Sequence, residues 1–555
     1  MVSRRYKVGR NREQADLLPA SLEEYVSGTN VVRAIDAYVE SLDLTALEFS
    51  NTKNNGKDGQ PAYPPSMLLK LYLYGYMNRV RSSRRLERET QLNIELMWLL
   101  EDFKPSHATI ANFRKDNLKG IKAVNKDFVQ LCREMKLYGG EEVGIDGTFM
   151  HGNASKASIH PQEKLEKEAK KIEQSIENYL AELEKTDLSE KDLPKTEDAE
   201  LPEKLKRLRE RQSRCEERLK QLEASGEKQL SETDKDARLL NKRGQTIAGY
   251  NVQIAVDSKN KLLVCNEVVQ DGNDTQQLEP MALKAKEILE VDSLVVDADK
   301  GYENHQQIKA CEEANITPYV PLADKAAPIR EQGRFTHNEY TYEAQTDSYE
   351  CPTGQTLNRQ GSQNKNGKIQ HKYVSKASTC KECQLKQQCL PEKTKYKQLY
   401  RWEHEEVMDR HRARMEKDGR EHMKNRSGLA EHPFGIIKIQ MGWLHFLMRG
   451  LEKVRAEMNL QMLCYNFQRV LKLIGIDSFK NHLKTRNEGR MGLIISILYR
   501  NNQQILITLN FLENVYPTSF TASRLRNFML QWLWLFWKLC SKLSHCLSRK
   551  RDIPL

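Results

Sequence analysis

Val143-Gly144-Ile145-Asp146-Gly147-Thr148-Phe149-Met150 decides the fold. A short apolar run that stops at an acid reads as a buried strand carrying a carboxylate at its end. Leu294-Val295-Val296 repeats the pattern and leads to Asp299, inside Ala298-Asp299-Lys300-Gly301-Tyr302. Between the two, residues 250–257 alternate polar and apolar side chains, 258–261 read as a turn, and 262–269 read as a second strand. That pattern predicts a hairpin. A helix fits 277–290. Two acids at strand ends can converge on divalent cations, which is the arrangement metal-assisted phosphoryl transfer needs.

Strand, hairpin, helix and strand in this order predict an α/β fold with a ribonuclease-H-like catalytic core, a mixed sheet flanked by helices. In it the first strand pairs antiparallel with the hairpin and the later strand joins in parallel. The core is expected over 140–160 and 245–470. Residues 1–135 read as an all-helical N-terminal DNA-binding domain. Pro64-Pro65-Ser66 is a helix start ahead of Met67-Leu68-Leu69, and Arg81-Ser82-Ser83-Arg84-Arg85 is basic. Ser106 can cap a helix that carries Thr109, Ile110, Asn112, Phe113 and Arg114. This rhythm resembles a helix-turn-helix, whose helix N-terminal residues reach base edges; a plain helical bundle with surface arginines is the alternative.

Residues 161–230 predict a coiled helical insert. Leu165, Ala169, Ile172, Ile176, Tyr179 and Leu183 recur at spacings of 3 and 4, as do Leu205, Leu208, Gln212, Cys215, Leu219 and Leu222 beyond a polar loop. Two such helices suggest an antiparallel hairpin. A Cys-containing insert follows at 340–400. Residues 471–555 form a helical C-terminal extension of unassigned role, with Trp532, Trp534 and Trp537 in an apolar stretch.

At 555 residues the chain has room for a sizeable core and more than one domain. Its net charge of +11, from 88 Lys and Arg against 77 Asp and Glu, suits a polyanionic partner, because each neutralised phosphate releases counterions. For this size the same charge is also ordinary solubility. No apolar run approaches a membrane span, and none follows the basic first ten residues as a secretory signal would. Eleven cysteines without an export signal point to a reducing, cytoplasmic setting.

A metal site of this kind wants a third acid. Glu431, in Ala430-Glu431-His432-Pro433-Phe434-Gly435-Ile436-Ile437-Lys438, precedes Lys438 by seven residues, two turns along one helix face. The acid could then hold metal while the amine holds a flanking phosphate. Pro433 prefers a first helical turn, which puts Glu431 at a helix start. Glu421, Glu452 and Glu457 are rivals, or surface charges. Leu444, Leu447, Leu451, Val454 and Met458 predict a following helix packed on the sheet.

Nine strings together resemble bacterial insertion-sequence transposases of the Asp-Asp-Glu (DDE) type, in particular the group named after insertion sequence 1182. They are Leu17-Leu18-Pro19-Ala20-Ser21-Leu22, Pro61-Ala62-Tyr63-Pro64-Pro65, Tyr74-Gly75-Tyr76-Met77, Arg81-Ser82-Ser83-Arg84, Thr109-Ile110-Ala111-Asn112-Phe113-Arg114, Asp146-Gly147-Thr148, Gly249-Tyr250-Asn251-Val252-Gln253, Ala298-Asp299-Lys300-Gly301-Tyr302 and Glu431-His432-Pro433-Phe434-Gly435. The resemblance implies that Asp146, Asp299 and Glu431 are catalytic carboxylates, with Lys438 as the basic residue of the third block. It implies Asp299, not Asp297, because the family's acid directly precedes x-Gly-Tyr. Arg426 fits the segment before the glutamate, although Met423 stands where the family often carries Tyr.

The activity so implied is that of a DNA transposase, which binds terminal inverted repeats and catalyses metal-dependent cleavage and strand transfer. Two Mg²⁺ (or Mn²⁺) ions about 3.5–4 Å apart would activate the attacking water and stabilise the leaving oxygen. Expected DNA contacts are Arg81, Arg84, Arg85, Thr109, Asn112, Arg114 and Arg426. Double-stranded DNA is the partner, a homodimer the expected active state, and the nucleoid the place. Two other readings stay open: a transposase-derived DNA-binding protein without catalysis, and a metal-dependent DNA nuclease without strand transfer.

Cys380-Lys381-Glu382-Cys383 has zinc-ligand spacing, and Cys351-Pro352-Thr353-Gly354 resembles half a knuckle, with Cys389 close by in sequence. A structural Zn²⁺ and reduced thiols are the two readings.

Overall fold

The structure, a computed structural model, describes residues 21–52, 62–189, 200–242, 244–365 and 367–489. The basic start of the chain, the polar loop within the predicted hairpin and the tryptophan-rich stretch lie outside the described residues.

Five principal helices precede the first strand: α1 (Val31–Glu40), α2 (Pro65–Met77), α3 (Ser83–Leu92), α4 (His107–Asp116) and α5 (Leu118–Glu134). Their starts follow local chemistry. Asn30 caps α1 by accepting from the Val32 N–H, and Ser106 caps α4 by accepting from the Thr109 N–H. Pro65 opens α2, where a missing N–H leaves no bond unmade.

β1 (Glu142–His151) is the strand predicted around Asp146, but it continues well beyond that acid. Thr148, Phe149 and Met150 are as strand-prone as the residues before them, and they pair with Val252, Asn251 and Tyr250. Asp146 therefore sits mid-strand, not at a strand end. After β1 come α6 (Gln162–Ser189) and α7 (Glu200–Ser225). Leu165 near the start of α6 packs with Cys215 and Leu222 near the end of α7, so the two run antiparallel.

The chain re-enters the sheet as β2 (Arg238–Lys242), β3 (Gln245–Asp257) and β4 (Leu263–Val269), then crosses through α8 (Leu278–Leu289) to β5 (Leu294–Asp297) and through α9 (His305–Glu313) to β6 (Ile316–Tyr319). β3 pairs antiparallel with β1 on one edge and with β2 and β4 in succession on the other. β5 pairs parallel with β1, and β6 parallel with β5. A second, wholly antiparallel sheet follows: β7 (Thr341–Glu343), β8 (Ser348–Glu350), β9 (Thr356–Lys365), β10 (Lys368–Val374) and β11 (Gln398–Trp402), in spatial order of sequence.

Four helices end the described chain: α10 (Glu405–Lys417), α11 (Gly419–Gly435), α12 (Leu451–Ile474) and a last helix over 476–489. Two expectations are corrected here. Pro433 does not start a helix; it lies inside α11, which continues into a π-helical turn over Ile436–Gln440. The wider turn is a common companion of a disrupted i→i−4 ladder, and it carries the helix past the proline. Leu444 and Leu447 do not begin α12, because Gly442 and Gly450 take positive φ on either side of them and the chain there is irregular.

α12 is buried almost all round, packing on α2, α5 and β4, so the N-terminal helices and the sheet share one hydrophobic core. Arg81 and Glu457 pin this junction. Glu457 has no solvent exposure and accepts the backbone N–H groups of Leu447 (3.1 Å) and Met448 (3.0 Å). Arg81 pairs with it at 3.6 Å, donates to the Gly442 and His445 carbonyls, and lies over the Trp443 ring. Glu457 is thus a buried structural acid, not the surface charge or rival ligand of the sequence reading. No helix among the described residues is long and apolar enough to cross a membrane. Removing one partner of such a buried pair strands the other, so Arg81→Met should lower unfolding free energy by about 3–5 kcal/mol, read from the midpoint of urea denaturation.

Candidate active site

β-strand alternation puts Glu142, Gly144, Asp146 and Thr148 on one side of β1, and α11 with its π-turn crosses that side. The contacts follow in step. His422 meets Glu142, Leu429 fills the space above Gly144, Arg426 faces Asp146, and Lys438 donates to the Thr148 hydroxyl. A Cβ at Gly144 would stand 3.0 Å from the Leu429 side chain, so the bare backbone lets the helix approach.

Asp299 arrives from β5. It lies two residues past the strand end and caps the short turn Lys300–Tyr302, accepting the Gly301 N–H at 2.8 Å. Asp146, Asp299, Glu431, Arg426 and Lys438 all line one cleft of about 660 Å³, with Thr148 and His151. Three separate stretches of chain therefore bring three carboxylates and two cations to one place. Arg426 stands between two of the acids, 4.0 Å from Asp146 and 3.5 Å from Glu431. Its side chain is 13% exposed, against 60% for Glu431, so the cation is held inside while the third acid reaches into the opening.

A buried polar layer supports the floor. Asp274 accepts from Asn251 (2.8 Å) and Gln253 (2.7 Å), and Gln253 accepts from the Tyr302 hydroxyl. Burial pushes the Tyr302 phenol well up, and the carboxylates of Asp274, Asp146 and Asp299 add to it, so it stays a neutral donor. A Cβ at Gly147 would come within 2.3 Å of the Gln253 amide, which explains a glycine directly after Asp146.

Asp297 has a different place. It is wholly buried and does not line the cleft. His422 Nδ1 lies 3.0 Å from Asp297 and 3.1 Å from Glu142, beneath the Tyr319 ring at 3.6 Å. Burial, and then the adjoining Glu142 carboxyl, push the Asp297 carboxyl up to about 8. The ligand atoms of Glu142, Asp297 and His422 lie within 4.8 Å of one another, a grouping able to hold a cation. As it stands it ties α11 to β1 and β5. The sequence reading missed Glu142 and His422; Glu142 lies two strand repeats before Asp146, and His422 one helical turn before Arg426.

The expected DNA contacts divide. Arg84 and Arg85 are exposed on α3, and Thr109 and Asn112 line an open cleft of about 460 Å³ with Lys104 and Ser106. Arg81 and Arg114 are corrected: both are buried, Arg81 in the pair above and Arg114 donating to the Tyr76 hydroxyl at 2.6 Å beside Tyr72. Tertiary burial took both arginines off the surface that a helix-turn-helix reading gives them. Cys351, Cys380, Cys383 and Cys389 surround a small cavity of their own in the second sheet. Of the rival acids, Glu421 and Glu452 are exposed and outside the cleft. His422→Ala should cost about 1–3 kcal/mol by leaving the buried Asp297 without its imidazole partner; urea unfolding reads this, and an unchanged midpoint would remove the tether.

Comparison with known proteins bears on the chain's two ends of the fold. Residues 20–116 match the family described as "Transposase domain (DUF772)", and residues 350–471 match the family described as "Transposase DDE domain". The second match contains Arg426, Glu431, Lys438 and the four clustered cysteines; Asp146 and Asp299 lie outside it. No curated protein matches the chain. A cryo-EM structure of a piggyBac transposase synaptic complex with hairpin DNA aligns over 90% of this chain and 84% of its own, at 9% identity and a TM-score of 0.30, too low to carry an argument. Two separate stretches of the chain, residues 20–116 and 350–471, thus match transposase domain families.

Proposed function

We propose that this protein is a DNA transposase of the insertion sequence 1182 group, which binds the terminal inverted repeats of its element and catalyses their cleavage and strand transfer. The observation that carries the reading is the convergence of Asp146, Asp299 and Glu431 on one cleft, with Arg426 and Lys438 beside them. The sheet supports it. A leading strand flanked on one edge by an antiparallel hairpin and on the other by two parallel strands is the order expected of a ribonuclease-H-like core.

The donor set fits Mg²⁺, since three carboxylates offer only hard oxygen ligands. Asp146, Asp299 and Glu431 would hold the metal, which when bound supplies a lowered pKa for the attacking water and charge neutralisation at the leaving oxygen. The protein's own groups do the rest. Arg426 offsets the repulsion of Asp146 and Glu431 in the free site. Lys438, which donates to the Thr148 hydroxyl at the cleft wall, would take a phosphate flanking the scissile bond. The buried layer of Asp274, Gln253 and Tyr302 keeps the floor fixed while substrate changes from water attack to attack by a 3′-hydroxyl. Arg84, Arg85, Thr109 and Asn112 are the groups on the N-terminal helices available to duplex DNA, and two element ends call for two copies of the chain.

The test is a short terminal-repeat duplex incubated with protein and Mg²⁺. Asp146→Asn, Asp299→Asn and Glu431→Gln should each abolish cleavage and leave gel-shift affinity intact, whereas Asp297→Asn should keep cleavage. Full cleavage in Asp299→Asn would overturn the assignment. Cleavage without joining would favour a nuclease, and binding without either a DNA-binding protein that has lost catalysis. Arg426→Ala, which removes a group that supports the ligands, should lower the cleavage rate about 10–100-fold.

A further inference from the structure

Outside the cleft, four half-buried cysteines gather at one end of the second sheet, whereas the other five described cysteines are buried and dispersed. Cys351 starts the turn from β8 to β9. Cys380 lies in the short helix Ala377–Lys381, Cys383 just after it, and Cys389 ends the helix Lys386–Cys389. All four line one cavity of about 30 Å³, whose other walls include Phe335, Leu357 and Leu385.

Polar groups lie within hydrogen-bond distance of three of the sulfurs. The Gln355 N–H points to Cys351 Sγ at 3.4 Å, in a turn closed by Gly354 at φ +75°. The Thr353 hydroxyl lies 3.1 Å from Cys351, the Ser375 hydroxyl 3.0 Å from Cys380, and the Tyr340 hydroxyl 2.9 Å from Cys389. An N–H or hydroxyl so placed can donate to a thiolate, and metal thiolates carry such outer partners. The sheet also needs a brace. Its own core is only Tyr340, Tyr349, Leu357, Tyr373 and Leu399, with Cys351 and Cys389 packed at its margin. So small an apolar cluster leaves a metal cross-link room to add folding free energy outright.

We propose that Cys351, Cys380, Cys383 and Cys389 bind one structural Zn²⁺. Binding replaces four thiol protons with four Zn–S bonds and releases those protons to solvent. A tetrahedral site at Zn–S of about 2.3 Å sets the sulfurs about 3.8 Å apart. Among the described residues they do not yet form a group within 4.8 Å, so ligation requires the side chains to turn inward to the cavity. The closed site would tie the β8–β9 turn to the segment ahead of β11, and so hold the sheet that the chain crosses between Asp299 and Glu431. It does not depend on the phosphoryl-transfer reading.

Full-length protein prepared without chelator or a metal-affinity tag should contain about one zinc per chain by elemental mass spectrometry. Replacement by Co²⁺ should give the visible bands of tetrahedral cobalt thiolate. Cys383→Ser should lose both signals. Zinc and iron near zero with no cobalt bands, iron in place of zinc, or full zinc in Cys383→Ser would each overturn the proposal. Because the wild-type metal content is decisive by itself, an insoluble variant leaves the test standing.

Discussion

The approach of α11 to β1 is the constraint on which the site depends. A helix can lie this close only where the strand offers no side chain beneath a bulky residue, and Gly144 under Leu429 meets that condition. On either side of this contact the same strand face presents acids, Glu142 toward His422 and Asp146 toward Arg426. Packing sets the distance and charge sets the register. Glu431 and Lys438 then follow by helical geometry alone, one on α11 and the other on the π-turn that continues it.

That helix in turn rests on the rest of the fold. The Arg81–Glu457 pair fixes the irregular segment between the π-turn and α12, since Glu457 holds the Leu447 and Met448 amides and Arg81 holds the Gly442 and His445 carbonyls. The N-terminal helices therefore reach, through one buried ion pair, the stretch that closes the cleft. The helical hairpin and the second sheet have cores of their own, separate from the main one. They are outgrowths of loops, which is why long insertions at these points leave the central sheet intact.

Much of the fold was legible. Alternation showed β3 and β4, apolar runs showed β1 and β5, and 3- and 4-residue spacing showed the hairpin, because each of these signals is local. The acids of the cleft were legible as residue types in motifs. What misled was also local: a proline was read as a helix start when it sits within a helix that runs on as a π-turn, and two arginines in basic strings were read as surface when they are buried against aromatic rings. Glu142 and His422 were passed over because neither stands out until the strand and the helix are laid together.

The sequence by itself determined the main strands of the central sheet, the helical hairpin, the candidate acids and the positions of the cysteines, since periodicity, capping and ligand chemistry act over a few residues. Only the tertiary structure decided that Asp299 faces the cleft while Asp297, two residues earlier, is buried under a helix. It also decided that Arg426 stands between two acids and that Arg81 belongs to the core. The physical reason is that burial and charge pairing are properties of surfaces brought together from distant parts of the chain, and no local pattern encodes which surfaces those are.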